Sequence, residues 1–243
     1  MKADLSRSLA PIVFWLHGGG WQVGCRSFIS TFGGGVMSAL HEQGYVIVSA
    51  SYRLLCDGAS LKDMEADVFD GVRFVAENAF RWNGDRDKIA LFGGSAGAHL
   101  ALMTSLATTT NLIKATVSLY APTLLTVDLV DTLTARTDAW SYEKLFHSKQ
   151  YLKSISMLDV GAHSPVEITR NIPLLVIHGE CDPIVPLFHG EYFKERMRNV
   201  GATKFLFVSI PCALHNFDSF ASHHGSQITT FATERFLFNV FYN

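Results

Sequence analysis

The stretch Phe92-Gly93-Gly94-Ser95-Ala96-Gly97-Ala98-His99-Leu100 decides how this chain is read. Immediately before it, Lys88–Phe92 (KIALF) is a short apolar run with the composition of a buried strand. Immediately after it, Ala96–Ala107 reads as an apolar helix. The stretch contains G-x-S-x-G at Gly93, Ser95 and Gly97, so the serine falls on a tight strand-to-helix turn. Such a turn holds its serine in strained dihedrals, and small neighbours let it close. The hydroxyl then projects at the carboxyl edge of a sheet, where open α/β folds bind ligands.

Outward from that turn, the same alternation repeats. Pro11–Leu16, Tyr45–Ser51, Thr116–Ala121, Ile172–Ile177 and Lys204–Ile210 are further runs, apolar on both faces, as strands buried between helices are. Between them Leu61, Met64, Val68, Val72, Val75 and Ala79 recur at three and four residues, the period of a helix with one buried side. Phe28–Glu42, Phe188–Val200 and Gln227–Val240 are the other expected helices, the first weakened by Gly33, Gly34 and Gly35. Strand, helix, strand along the chain predicts a doubly wound, mainly parallel α/β sheet of about six strands. From Thr123 to Asn171, about fifty residues separate two strands, more than one crossover helix needs. That stretch holds Trp140, Tyr142 and Phe146, so it reads as a compact insertion over one end of the sheet. No repeat, charge block or composition shift divides the rest, and residues 1–243 are expected to form one domain with the insertion 123–171 as a lid or acyl-pocket segment.

Composition narrows the function classes. Of 243 residues 48% are hydrophobic and only 17% charged, and a formal charge of −2 offers no electrostatic footprint for nucleic acid or an anionic membrane. No apolar run approaches the ~20 residues that span a bilayer. Cys25, Cys56, Cys181 and Cys212 show no C-x-x-C pair and no metal-like clustering, so they are expected as reduced thiols of a cytoplasmic protein.

A serine hydroxyl becomes nucleophilic when a base takes its proton and a third group orients that base. On this kind of sheet the order along the chain is serine, acid, histidine. Asp182 lies in His178-Gly179-Glu180-Cys181-Asp182-Pro183, after the fifth run, and His215 in Leu214-His215-Asn216-Phe217, after the sixth. Glu180 competes with Asp182 but lies less far into its loop. Asp218 follows the histidine and has the wrong order. His189, His223 and His224 are weaker candidates for the base, and His17, His99 and His178 read as structural. The other glycine-rich turn, His17-Gly18-Gly19-Gly20-Trp21, follows the first run and can aim backbone N–H groups at a substrate oxygen. Neither a G-x-G-x-x-G spacing nor a Walker-type Gly-Lys-Ser/Thr is present, which argues against a nucleotide loop.

HGGGW, GGSAGAHL, HGECDPIVP and HNF, in that order, resemble the α/β-hydrolase superfamily, in particular its hormone-sensitive-lipase-like carboxylesterases and the related feruloyl-esterase and kynurenine-formamidase types. Ser51-Tyr52-Arg53-Leu54 and Ser164-Pro165 are similar to further stretches of that branch, the former read as structural. The resemblance implies an α/β-hydrolase fold, with Ser95 as nucleophile, Asp182 and His215 as its partners, and the N–H groups of Gly19, Gly20 and Ala96 as an oxyanion hole. It implies a small-molecule ester or amide substrate, no cofactor and no metal. A short aryl formamide, or a feruloyl or acetyl ester, fits the same machinery, and a ligand-binding relative without catalysis is the reading of a different class. Trp21 and Trp140 are candidates for stacking on an aromatic substrate, with core packing an equal account of each. Relatives carry two further strands before HGGGW, whereas sixteen residues precede His17 here. The strand at 45–51 is therefore expected at a sheet edge, open to self-association as a homo-oligomer.

Overall fold

Side chains on both faces of a central strand need cover from both sides, and helices packed on either face of the sheet supply it. The computed structural model describes residues 9–107, 110–125, 164–165 and 171–243. Among these residues lie the strands β1 (Ala10–Leu16), β2 (Val46–Ala50), β3 (Gly84–Gly94), β4 (Ile113–Leu119), β5 (Leu174–Gly179) and β6 (Phe205–Ile210). They form one six-stranded sheet in the order β2-β1-β3-β4-β5-β6, with every neighbouring pair parallel. The α-helices among the described residues are α1 (Gly34–Glu42), α2 (Leu61–Asn78), α3 (Ala96–Ala107), α4 (Phe188–Asn199) and α5 (His224–Tyr242).

Alternate residues of each strand enter opposite cores. Phe14, Leu16 and Leu91 pack with Leu61, Met64, Val68 and Val72 of α2 and with Leu100 of α3. Val13, Trp15, Ala90 and Phe92 pack with Val36 and Leu40 of α1 and with Phe236 and Leu237 of α5. α3 is buried along nearly its whole length, which is why its sequence is apolar without a polar stripe.

The expected helix Phe28–Glu42 is instead a 3-10 turn at Arg26–Ser30 followed by α1. Gly33 takes φ 80° between them, a conformation that interrupts the helix and releases Phe28 and Phe32 from its register. β3 begins at Gly84 rather than Lys88, because Ala10 pairs with Gly84 across a register shift in β1. β4 runs Ile113–Leu119 rather than 116–121 and stops where Tyr120 turns to φ 40°. The stretch Ser51-Tyr52-Arg53-Leu54, read as structural, explains itself through two contacts. The Tyr52 hydroxyl donates to the His17 carbonyl at 2.7 Å while the two rings stack at 4.1 Å. The Arg53 guanidinium forks onto Asp67 at 2.8–3.1 Å, tying the loop after β2 to α2.

The four cysteines are unpaired. Among the described residues no helix is long and apolar enough to cross a membrane. Most of the insertion expected at 123–171 lies outside the described residues, as does Trp140. Its two ends do not: Leu125 N–H donates to Ser164 Oγ at 2.9 Å, and the Ser164 hydroxyl donates to the Leu125 carbonyl at 3.1 Å.

Candidate active site

The chain enters the sheet at β1, moves out to β2, then crosses back past β1 to β3 and proceeds the other way. β1 and β3 therefore flank the point where the winding reverses, and a crevice opens beyond their carboxyl ends. The loops that leave those ends are His17–Gly20 and the turn at Ser95, the two glycine-rich motifs of the sequence.

Ser95 sits at φ 55°, in the left-handed region that costs a residue with a side chain ~1–3 kcal/mol. Its N–H donates to the Leu119 carbonyl at 3.0 Å, and its own carbonyl starts α3 by accepting from His99 N–H. The turn can be this tight because α3 begins against β1: a Cβ on Gly97 would collide with the carbonyl oxygens of Leu16 and His17. Gly19, at φ 118°, is the second position where only glycine serves, since a Cβ there would strike the Val23 carbonyl. Its carbonyl accepts from both Gln22 and Val23 N–H, closing the loop into a compact turn.

Asp182 is buried in the loop after β5. Its Oδ1 accepts from the N–H groups of Ile184 and Val185, each at 2.8 Å, which leaves Oδ2 aimed at His215 Nδ1, 2.7 Å away. A ring nitrogen that close to a carboxylate must carry the hydrogen, so the imidazole presents its Nε2 lone pair on the other side. His178 braces the same loop, its Nε2–H donating to the Val185 carbonyl at 2.8 Å. The competing acid Glu180 points elsewhere and accepts from the Ser209 hydroxyl at 3.0 Å.

Ser95 and His215 line one cavity of about 190 Å³, together with Gly18, Gly19 and Gly20. Ala96 opens α3 beside Ser95 and is buried. The rest of the described lining is largely aromatic, Trp15, Phe28, Phe32 and Tyr120, with Val23, Gly94, Asn216 and Asp218 among them. Trp21 is not on it. Its indole is buried in the core, edge-on to His99 at 5.1 Å, so core packing accounts for it. Tyr120 and Asp218 are the site residues that sequence reasoning missed or set aside. The Tyr120 ring lies 4.5 Å from the His215 ring, and its hydroxyl donates to Asp218 Oδ1 at 2.5 Å. Burial pushes the Asp218 carboxyl above its ordinary value, against the opposing pull of the Tyr120 hydrogen bond. A tyrosine directly after a buried strand, and an aspartate three residues past the candidate histidine, are the only traces of this pair in the sequence.

The sequence is 28% identical over 230 residues to esterase LipC of Mycobacterium tuberculosis, covering 89% of this chain and 55% of that protein. It is also 28% identical over 273 residues to the probable carboxylesterase M8 of a Phoma species, covering 90% of this chain and 83% of that one. The chain spans about half the length of the Mycobacterium esterases it matches, LipC and LipQ. Esterase 2 of Thermogutta terrifontis, phosphonylated by sarin, superposes with a TM-score of 0.77 at 22% identity, over 97% of this chain and 86% of that one. The shared architecture is the α/β-hydrolase fold. The sequence profile of the BD-FAE family matches residues 2–197, four-fifths of the chain and both glycine-rich motifs with it, and the chain belongs to that family.

Proposed function

We propose that this protein is a serine hydrolase of small carboxylic esters, with Ser95 as nucleophile, His215 as base and Asp182 as the group that orients it. The observation that carries this reading is the 2.7 Å bond between Asp182 and His215 Nδ1 beside a cavity that Ser95 also lines. His215 Nε2 takes the Ser95 proton as Oγ adds to the ester carbonyl. Asp182 holds the ring and stabilises its charged form. The backbone N–H groups of Gly19, Gly20 and Ala96 receive the charge on the carbonyl oxygen, an arrangement in which each donor is worth roughly 3–4 kcal/mol of barrier. The protonated His215 then delivers its proton to the departing alcohol, and water releases the acyl group by the same steps in reverse. Each step uses only side chains and backbone of this chain.

Short p-nitrophenyl esters are the test substrates. Ser95→Ala is expected to lower kcat by roughly 10⁴-fold or more, and a fluorophosphonate probe is expected to label the wild type and not the variant. Undiminished turnover in Ser95→Ala removes the assignment. An unlabelled wild-type protein that still binds esters points to a ligand-binding relative without catalysis. A panel of acetyl, octanoyl, feruloyl and N-formyl substrates separates the ester reading from an aryl-formamidase or feruloyl esterase. Residues 123–171 are proposed to cover this cavity as its lid. A cytoplasmic location fits the four free cysteines.

A further inference from the structure

The lining of the cavity combines two kinds of chemistry. Trp15, Phe28, Phe32 and Tyr120 present aromatic surface, and within that surface lies Asp218, the single carboxyl among the described residues that line the cavity. Asp218 is 2% exposed, and Tyr120 occupies only its Oδ1. Its Oδ2 lies on the side of Gly33, where a Cβ would come 3.6 Å from it and 3.1 Å from the Trp15 indole nitrogen. Among the described residues no lysine or arginine lines the cavity to balance a negative charge there. A carboxyl held away from water, with the Tyr120 hydroxyl and its own backbone N–H as partners and only His215 as a nearby titratable base, is costly to keep ionised. An apolar acyl chain would leave that cost in place. A protonated amine would remove it, by supplying both the opposite charge and an N–H donor, and aromatic faces around a desolvated cation add attraction of their own.

We propose that Asp218 and the aromatic wall around it make this cavity selective for esters that carry a protonated amine a few bonds from the scissile carbonyl. This deepens the hydrolase reading and rests on it. The ammonium group enters beside Asp218 while the carbonyl stands over Ser95, and no covalent step is added to the reaction already described. Asp218 acts here in binding and not in proton transfer, since His215 takes its orienting bond from Asp182.

The test compares pairs of esters that differ only in nitrogen for carbon. On the alcohol side the pair is 2-(dimethylamino)ethyl acetate and 3-methylbutyl acetate; on the acyl side it is ethyl 4-(dimethylamino)butanoate and ethyl 5-methylhexanoate. At pH 7 the amine member of at least one pair is expected to show about tenfold or greater kcat/KM, expressed mainly in KM. Asp218→Asn, which keeps the shape and removes the charge, is expected to bring that ratio close to one. Should that variant fail to fold, Phe32→Leu on the half-buried edge of the wall serves instead and is expected to reduce the ratio several-fold. Turnover of all four esters by the wild type with ratios near one in both pairs overturns the proposal and leaves the hydrolase reading standing. Turnover of none of them by an enzyme that hydrolyses short p-nitrophenyl esters also overturns the proposal alone, and hydrolysis of neither set removes both.

Discussion

At the scale of single residues, the candidate site depends on how one carboxylate is spent. Asp182 uses Oδ1 on two backbone N–H groups of its own loop and Oδ2 on His215, so its side chain has no freedom to do anything else. Asp182→Asn keeps the shape but turns the amide into a poor partner for Nδ1–H, and the imidazole loses its preferred tautomer. The expected result is a fall in kcat of roughly a thousand- to ten-thousandfold with KM little changed, read from steady-state kinetics on a p-nitrophenyl ester. Much of this local arrangement is legible in the sequence, because Ser95, Asp182 and His215 each follow an apolar run that ends at the same sheet edge. Tyr120 and Asp218 are not legible in that way. They meet across 98 positions, and nothing local in either segment announces the other. Phe28 and Phe32 carry helix periodicity in the sequence, and only the left-handed turn at Gly33 takes them out of it.

At the scale of elements, β2 is the feature with consequences. It is the outermost strand beside β1, each of its residues is only partly buried, and its far side has no neighbouring strand among the described residues. An open strand of Val46-Ile47-Val48-Ser49-Ala50, without charge or proline, is a template for pairing. We expect the protein to sediment with a concentration-dependent coefficient, and the outward N–H groups of 46–50 to exchange more slowly with deuterium as concentration rises. Rapid exchange of those groups at every concentration would sink this expectation. The edge position of β2 is readable from the sequence together with the family resemblance, whereas the ends of β3 and β4 are not. Those ends are set by pairing with Ala10 and by the strained turn at Tyr120, which are contacts between elements and not properties of either segment.

At the scale of the whole molecule, burial of neutral histidines links stability to pH. His189 sits at the start of α4 with its Nδ1 accepting from Thr123 N–H at 3.2 Å, and burial lowers it to about 3. His17 and His178 are lowered as well, each first of all by burial. The unfolded chain takes up protons on these rings below its ordinary value near 6.5, while the native state refuses them. Stability is therefore full above about pH 6.5 and declines as pH falls toward 3. His189 alone is expected to cost about 2 kcal/mol between pH 6.5 and pH 5. Urea denaturation at pH 7 and pH 5 measures the loss, and His189→Gln, which can still accept from Thr123, is expected to flatten it. A midpoint that does not move between the two pH values would count against this account. The doubly wound class is legible in the alternation of apolar runs and helix periods. Beyond the edge position of the second strand, which the resemblance implies, the strand order is not, because no local segment says which other strand it will lie beside.

The paired bonds between Leu125 and Ser164 have a further consequence for how this chain tolerates change. They tie Leu125, six residues past the end of β4, to Ser164, ten residues before the start of β5. A change of length between these two residues therefore need not reach the register of β4 against β5. Replacing residues 126–163 with a short glycine-serine bridge is expected to leave the thermal unfolding of the sheet cooperative while altering which acyl groups are accepted, as circular dichroism melts and a hydrolysis panel would reveal. A loss of cooperative unfolding would mean that the clamp is not enough. If the clamp holds, insertions and deletions between these two residues leave the pairing of the sheet beneath them undisturbed.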